Sequence, residues 1–189
     1  MRNIAIFASG SGSNAQKLIE HFSNSELAKV SLILCNKPDA LVIERAAKLS
    51  VESLIFDRDD FYSSSRVLNY LLESEIDFIV LAGFLWLVPQ NIIDIFNRRI
   101  INIHPALLPS YGGKGMYGDR VHKTVIENGD KESGISIHYV NEIYDDGDII
   151  FQAKCSIESD DTPESLAQKV HALEYEFFPI IVEKLIKEL

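Results

Sequence analysis

The sequence predicts an α/β fold: Rossmann-like, with a mostly parallel central sheet and helices on both faces. Three observations predict it. Short apolar runs alternate along the chain with segments whose apolar residues recur at helical spacing. The first run ends in a glycine-serine turn that opens a helix directly, the order of a strand–turn–helix unit. Phe78-Ile79-Val80-Leu81-Ala82 is apolar without interruption, as expected of a parallel strand covered on both faces.

Residues 3–8 form the first strand and run into Ser9-Gly10-Ser11-Gly12-Ser13-Asn14, after which Leu18, Ile19 and Phe22 mark a helix. Small residues let the backbone approach a ligand. The free N–H groups at the helix start, aided by the Ser13 and Asn14 side chains, suit a phosphate; a turn with no ligand is the competing reading. Gly10-x-Gly12-x-x-Ala15 also fits a loose dinucleotide fingerprint. The second strand, residues 30–35, leads into Asn36-Lys37-Pro38 with no acid to grip a ribose, so NAD is disfavoured, while Lys37 leaves an NADP reading open.

A helix over 41–49, a strand over 52–55 and a helix over 61–72 lead to the strand at 78–82. Gly83 then permits close backbone approach, and Phe84, Leu85, Trp86, Leu87 and Val88 either wall a flat heterocycle or are ordinary core. A short helix over 91–96 precedes Ile100-Ile101-Asn102-Ile103-His104-Pro105. Asn102 and His104 alternate with Ile101 and Ile103, so both point to one face, and Pro105 ends the strand beside them. The pair is either chemistry at the mouth of an α/β sheet or a core histidine bonded to its neighbour.

Residues 110–118 carry four glycines in nine positions and read as a lid, with Lys114 either meeting a phosphate or solvated. A helix over 121–127 holds His122, read as a surface or packing residue. Residues 134–140 alternate, so Ser136 and His138 share a face; His138 either assists at the site or is a satisfied structural histidine. The acidic loop 141–148 lacks the ligand pattern of a calcium loop, so no metal is expected. A carboxylate from it can face His104, raising the imidazole's pKa and fixing its orientation. A strand over 149–153 follows. Asp161-Thr162-Pro163-Glu164 starts a helix running to the C-terminus, on which Glu174 either grips a substrate amine or is a solvated charge.

The 189 residues form one expected domain, 1–189, with 47% apolar and 24% charged residues. A net charge of −10 opposes broad nucleic-acid binding, so an anionic ligand must be held by backbone dipoles and a few placed cations. Two cysteines without ligand spacing read as reduced thiols, and no run is long enough for a signal peptide or membrane span; a cytoplasmic protein is expected, monomer or homodimer.

Gly12-Ser13-Asn14, Leu81-Ala82-Gly83-Phe84, Asn102-Ile103-His104-Pro105-x-Leu107-Leu108-Pro109 and Asp145-x-Gly147-x-Ile149 together resemble the folate-dependent formyltransferase superfamily, along nearly the whole chain. The resemblance implies transfer of the formyl group of 10-formyltetrahydrofolate, as cosubstrate, to the amine of 5'-phosphoribosylglycinamide in purine biosynthesis. Other folate-dependent formyl transfer, or hydrolysis of 10-formyltetrahydrofolate, is the alternative. It implies Asn102, His104 and Asp145 as catalytic groups, Gly12, Ser13 and Asn14 on the ribonucleotide phosphate, and Glu174 on its amine. Leu85, Trp86, Leu87, Val88 and Asn102, with Glu142, Ile143 and Tyr144, are implied for the folate. Two departures stand out: Trp86 occupies a position where superfamily members often carry arginine, and the 111–118 loop is longer and richer in glycine. Whether Arg58 or Arg66 meets the folate is open.

Overall fold

The computed structural model describes residues 1–189. Seven strands form one sheet in the order β3-β2-β1-β4-β5-β6-β7. In chain order they are β1 (Arg2–Ala8), β2 (Ala28–Cys35), β3 (Glu52–Ile55), β4 (Phe78–Leu81), β5 (Ile100–His104), β6 (Glu132–Tyr139) and β7 (Ile149–Ser156). The first five are parallel; β6 and β7 join antiparallel at one edge.

The continuous apolar runs are explained by two-sided burial. In β1, Ile4, Ile6 and Ala8 pack into one core cluster while Ala5 and Phe7 pack into the other. The first cluster is completed by α1 (Ser13–Phe22), α2 (Leu41–Lys48), α5 (Asp119–Glu127) and α6 (Pro163–Lys187), the second by α3 (Arg66–Glu73) and α4 (Gln90–Ile95). Helices therefore cover both faces, and a strand position of either parity must be apolar. No helix is long and apolar enough to cross a membrane.

Two elements differ from expectation. The helix expected over 61–72 begins only at Arg66, after a separate π-helical turn, Asp59–Ser63. Local side chains compete for the backbone there: Asp60 N–H donates to Asp57 Oδ1 at 2.9 Å, the Ser64 hydroxyl to the Asp60 carbonyl at 3.2 Å, and Arg66 N–H to Ser64 Oγ at 3.2 Å. Strand β7 extends to Ser156 because its pairing with β6 continues to Glu132↔Ser156.

The winding positions a site. From β1 the chain moves outward through β2 to β3, then returns to lay β4 on the other side of β1. The turns leaving the carboxyl ends of β1 and β4 thus part in opposite directions and open a crevice between them. Ser9 ties the two turns together: its N–H donates to the Gly83 carbonyl at 3.0 Å, and its Oγ accepts from Leu85 N–H at 3.1 Å.

Candidate active site

A cleft of about 580 Å³ occupies that crevice. It is walled by the turns at 9–14 and 82–86, the end of β5, the loop at 113–119, Tyr144 and Asp145, and by His122 and two α6 residues, His171 and Glu174.

At its centre the antiparallel register of β6 sets Asn102 opposite His138 and His104 opposite Ser136. Side chains directly opposite on a sheet share a face, and Asn102 Nδ2 lies 3.0 Å from His138 Nε2. The other nitrogen, His138 Nδ1, is 2.8 Å from the Tyr139 carbonyl. A carbonyl only accepts, so Nδ1 carries the hydrogen and Nε2 accepts from Asn102. The second Asn102 amide hydrogen goes to Asp145 Oδ1 at 3.3 Å. Beneath, the Ser136 hydroxyl donates to the Ala106 carbonyl at 2.7 Å and accepts from Leu108 N–H at 2.9 Å, clamping the turn that follows His104.

Asp145 arrives from the loop between β6 and β7 with φ 55°, a left-handed conformation that aspartate tolerates better than most residues. Gly147 makes the approach possible: a Cβ there would lie 1.8 Å from the Tyr139 carbonyl oxygen. Asp145 Oδ2 accepts from Gly113 N–H at 2.9 Å and faces His104 Nδ1 at 3.5 Å. Burial pushes this carboxyl up, but the His138 and His104 imidazoles and the Gly113 N–H outweigh it, leaving the pKa below the ordinary carboxylate value.

His104 corrects an expectation. Burial pushes its pKa down, and although Asp145 and the Tyr111 carbonyl oppose this, the net direction is below the ordinary histidine value. The resting ring is therefore neutral near neutral pH, not held as imidazolium by Asp145.

At one end of the cleft lies the glycine turn. Gly12 has φ 72° and no room for a side chain, since a Cβ would fall 2.5 Å from Val42 Cγ2. It precedes α1, whose start has neither a side-chain cap nor an acidic residue in its first turn. Arg45 braces the turn from α2, its Nε donating to the Ser11 carbonyl at 2.8 Å. Asn14 does not turn back on its helix; its Nδ2 donates to Glu174 Oε2 at 2.9 Å. Glu174 is buried and also pairs with His171 Nδ1 at 2.8 Å, a bond that raises the His171 pKa. His122, expected at the surface or in packing, is buried at the cleft wall with Nδ1 unpartnered. Burial and the neighbouring His171 lower its pKa.

At the other end Phe84 and Trp86 both pack on the second core cluster and line the cleft, so the two readings of these aromatics hold together. The Arg58 guanidinium lies over the Trp86 ring, 4.9 Å from its centroid, without a carboxylate partner. Arg66 instead pairs with Asp60 at 2.5 Å. A cation thus stands beside Trp86 although that position is not itself arginine.

The cleft wall brings together Gly12, Ser13, Asn14, Leu85, Trp86, Asn102, His104, Tyr144, Asp145 and Glu174. Leu87, Val88, Glu142 and Ile143 lie off it. Val88 is buried in the second core cluster, the Leu87 carbonyl accepts from the Tyr62 hydroxyl at 2.9 Å, and Ile143 is 57% exposed. Sequence reasoning did not single out His171; its only signal was the three-residue spacing to Glu174 on one helical face.

Residues 2–182 match the family model described as formyl transferase. A chloroplastic phosphoribosylglycinamide formyltransferase of Arabidopsis thaliana is 39% identical, the alignment covering 99% of this chain and 66% of the plant protein's length. The phosphoribosylglycinamide formyltransferase of Bacillus subtilis (strain 168) is 33% identical across 98% of this chain and 95% of its own. A crystal structure of the phosphoribosylglycinamide formyltransferase from Bacillus halodurans superposes with a TM-score of 0.88 at 37% identity, covering 98% of this chain and 95% of that one. Sequence match and backbone likeness extend from the glycine turn to the last helix, and the chain belongs to the formyl transferase family.

Proposed function

We propose that this protein transfers the formyl group of 10-formyltetrahydrofolate to the amine of 5'-phosphoribosylglycinamide, a step of purine biosynthesis. The observation that carries this is the meeting of Asn102, His104 and Asp145 between a capless helix start at one end of the cleft and an aromatic wall with an unpaired arginine at the other. The α1 start and the N–H groups after Gly12 suit the ribonucleotide phosphate. Glu174 is buried and acceptor-rich, which suits the amine. Phe84, Leu85, Trp86 and Tyr144 suit a flat heterocycle, and Arg58 suits the anionic end of the folate.

The amine attacks the formyl carbon, a C–N bond forms, and the carbonyl electrons move onto oxygen. Donors must meet that charge. Asn102 exchanges its long 3.3 Å bond to Asp145 for the oxyanion while its bond to His138 keeps the amide oriented. Losing one such donor costs on the order of 100-fold in rate. The new ammonium gives up a proton to the Asp145–His104 pair, and the proton passes to N10 of the folate as its bond to the formyl carbon breaks. No covalent enzyme intermediate is needed. Cys35 and Cys155 are both free thiols, consistent with a cytoplasmic setting.

Incubation of the purified protein with both substrates tests this by mass spectrometry. A ribonucleotide heavier by one formyl group is expected, together with tetrahydrofolate. Absence of that product refutes the proposal, and release of formate without acceptor formylation favours hydrolysis instead.

A further inference from the structure

The geometry points to Tyr111 as the positioning residue that selects which nitrogen of His104 handles the proton, an inference that rests on the formyl-transfer reading. His104 Nε2 lies 2.7 Å from the Tyr111 carbonyl oxygen. A carbonyl cannot donate, so Nε2 carries the hydrogen, and the neutral ring keeps its lone pair on Nδ1. That lone pair faces Asp145 Oδ2 at 3.5 Å. Two acceptors confront each other across a gap that a single proton closes. The proton leaving the substrate ammonium enters there: its N–H bond breaks, an Nδ1–H bond forms, and the positive charge on the ring is matched by Asp145. The same proton then leaves Nδ1 for the folate nitrogen. With Nε2–H committed to Tyr111, His104 reaches the oxyanion only through Nδ1–H, after the proton has arrived.

The aim of that carbonyl depends on an unusual backbone. Tyr111 has φ 58°, a left-handed conformation that is strained for a residue with a side chain. Its side chain holds it there. The phenol donates to Asp130 Oδ2 at 2.6 Å and accepts from Asn128 Nδ2 at 2.8 Å, at the far end of α5. The ring also packs against the larger core cluster. Nothing in this anchor touches the cleft chemistry except the carbonyl it aims. Several charged or titratable groups surround His104. Asp145 and, from α6, Glu174 favour its protonation; His138 of β6 opposes it, and His122 of α5 lies near enough to interact.

The test compares Tyr111→Phe, Asp130→Ala and Asp130→Asn by steady-state kinetics and by nitrogen-15 NMR of histidine-labelled protein. The wild-type spectrum is expected to report the Nε2–H tautomer for His104. Tyr111→Phe and Asp130→Ala are expected to lower kcat about tenfold with both KM values nearly unchanged, because a small misplacement of a reacting group is costly. In both, the His104 signal is expected to shift towards a mixture of tautomers and the acid limb of the pH–rate profile to move. The double variant should be no worse than either single one, and Asp130→Asn, which keeps an acceptor for the phenol, should recover most of the loss. An Nδ1–H tautomer in the wild type overturns the inference. So does a kcat loss with the His104 tautomer unchanged, the mark of a merely structural role. Wild-type protein without turnover on any acceptor refutes the formyl-transfer reading instead, and the NMR comparison still decides the role of Tyr111.

Discussion

Replacing Asp145 by asparagine separates proton transfer from structure. Oδ2 accepts from Gly113 N–H at 2.9 Å and Oδ1 accepts from Asn102 at 3.3 Å. An amide of the same shape keeps its oxygen on Gly113 and turns its NH₂ towards Asn102. One long hydrogen bond is lost, worth about 1 kcal/mol, so the cleft survives and both KM values stay within about threefold. What disappears is the carboxylate half of the Asp145–His104 pair that holds the proton. General acid–base groups contribute roughly 10² to 10⁴ in rate, so kcat should fall by that factor, about 3–5 kcal/mol of barrier. Asp145 also draws the His104 pKa upward, so any residual activity should have its acid limb at lower pH than the wild type. Stability has a sign as well. The Asp145 pKa is lowered on folding, so its ionised form stabilises the protein above the unfolded value of about 3.9, and that contribution is lost as pH falls through the folded value. Asp145→Asn should therefore be less stable than wild type near neutral pH, with the deficit closing in acid. Kinetics follow from the absorbance change on folate deformylation, and stability from urea titration. A kcat within about threefold of wild type would refute the shuttle role.

Other perturbations probe the ends of the cleft. Gly12→Ala places a Cβ 2.5 Å from Val42 Cγ2 at φ 72°; it should cost about 1–3 kcal/mol in thermal denaturation and raise the ribonucleotide KM more than the folate KM. Glu174→Gln leaves an oxygen for His171 but removes the negative charge behind the bond that raises the His171 pKa. That contribution is present below the unfolded histidine pKa of about 6.5 and is lost as pH rises through the folded value, so the variant's stability deficit should be largest in mild acid, alongside a higher ribonucleotide KM. Arg58→Ala should raise the folate KM by about tenfold through loss of a charged hydrogen bond. Arg66→Ala, whose guanidinium is engaged with Asp60, should leave that KM unchanged; the reverse pattern would reassign the folate cation.

Much of the frame was legible because parity and period are local properties. Asn102 and His104 could be assigned to one face from their alternation with Ile101 and Ile103, and Gly12 to a turn because a glycine-serine run separates an apolar strand from residues at helical spacing. What could not be read depends on distant partners. His138 enters the site only because β6 runs antiparallel to β5 with Asn102 opposite it, and no run of residues encodes that register. At His104 burial outweighs the pull of Asp145, and the sequence carries the proximity of Asp145 but not the depth of burial around the ring. Contiguity in the sequence implies one folate wall over Leu85 to Val88, yet in the folded chain Leu85 and Trp86 face the cleft while Val88 turns into the core. Arg58 and Arg66 are indistinguishable as letters; the Trp86 ring under one and the Asp60 carboxylate against the other separate them.

The central claim is direct movement of the formyl group from folate to amine within this cleft. A single turnover with carbon-13 formyl-labelled cosubstrate and excess 5'-phosphoribosylglycinamide tests it most directly. All of the label is expected in the ribonucleotide, at the rate at which tetrahydrofolate appears. Label released as free formate, or retained on the folate while the acceptor remains unmodified, would contradict it.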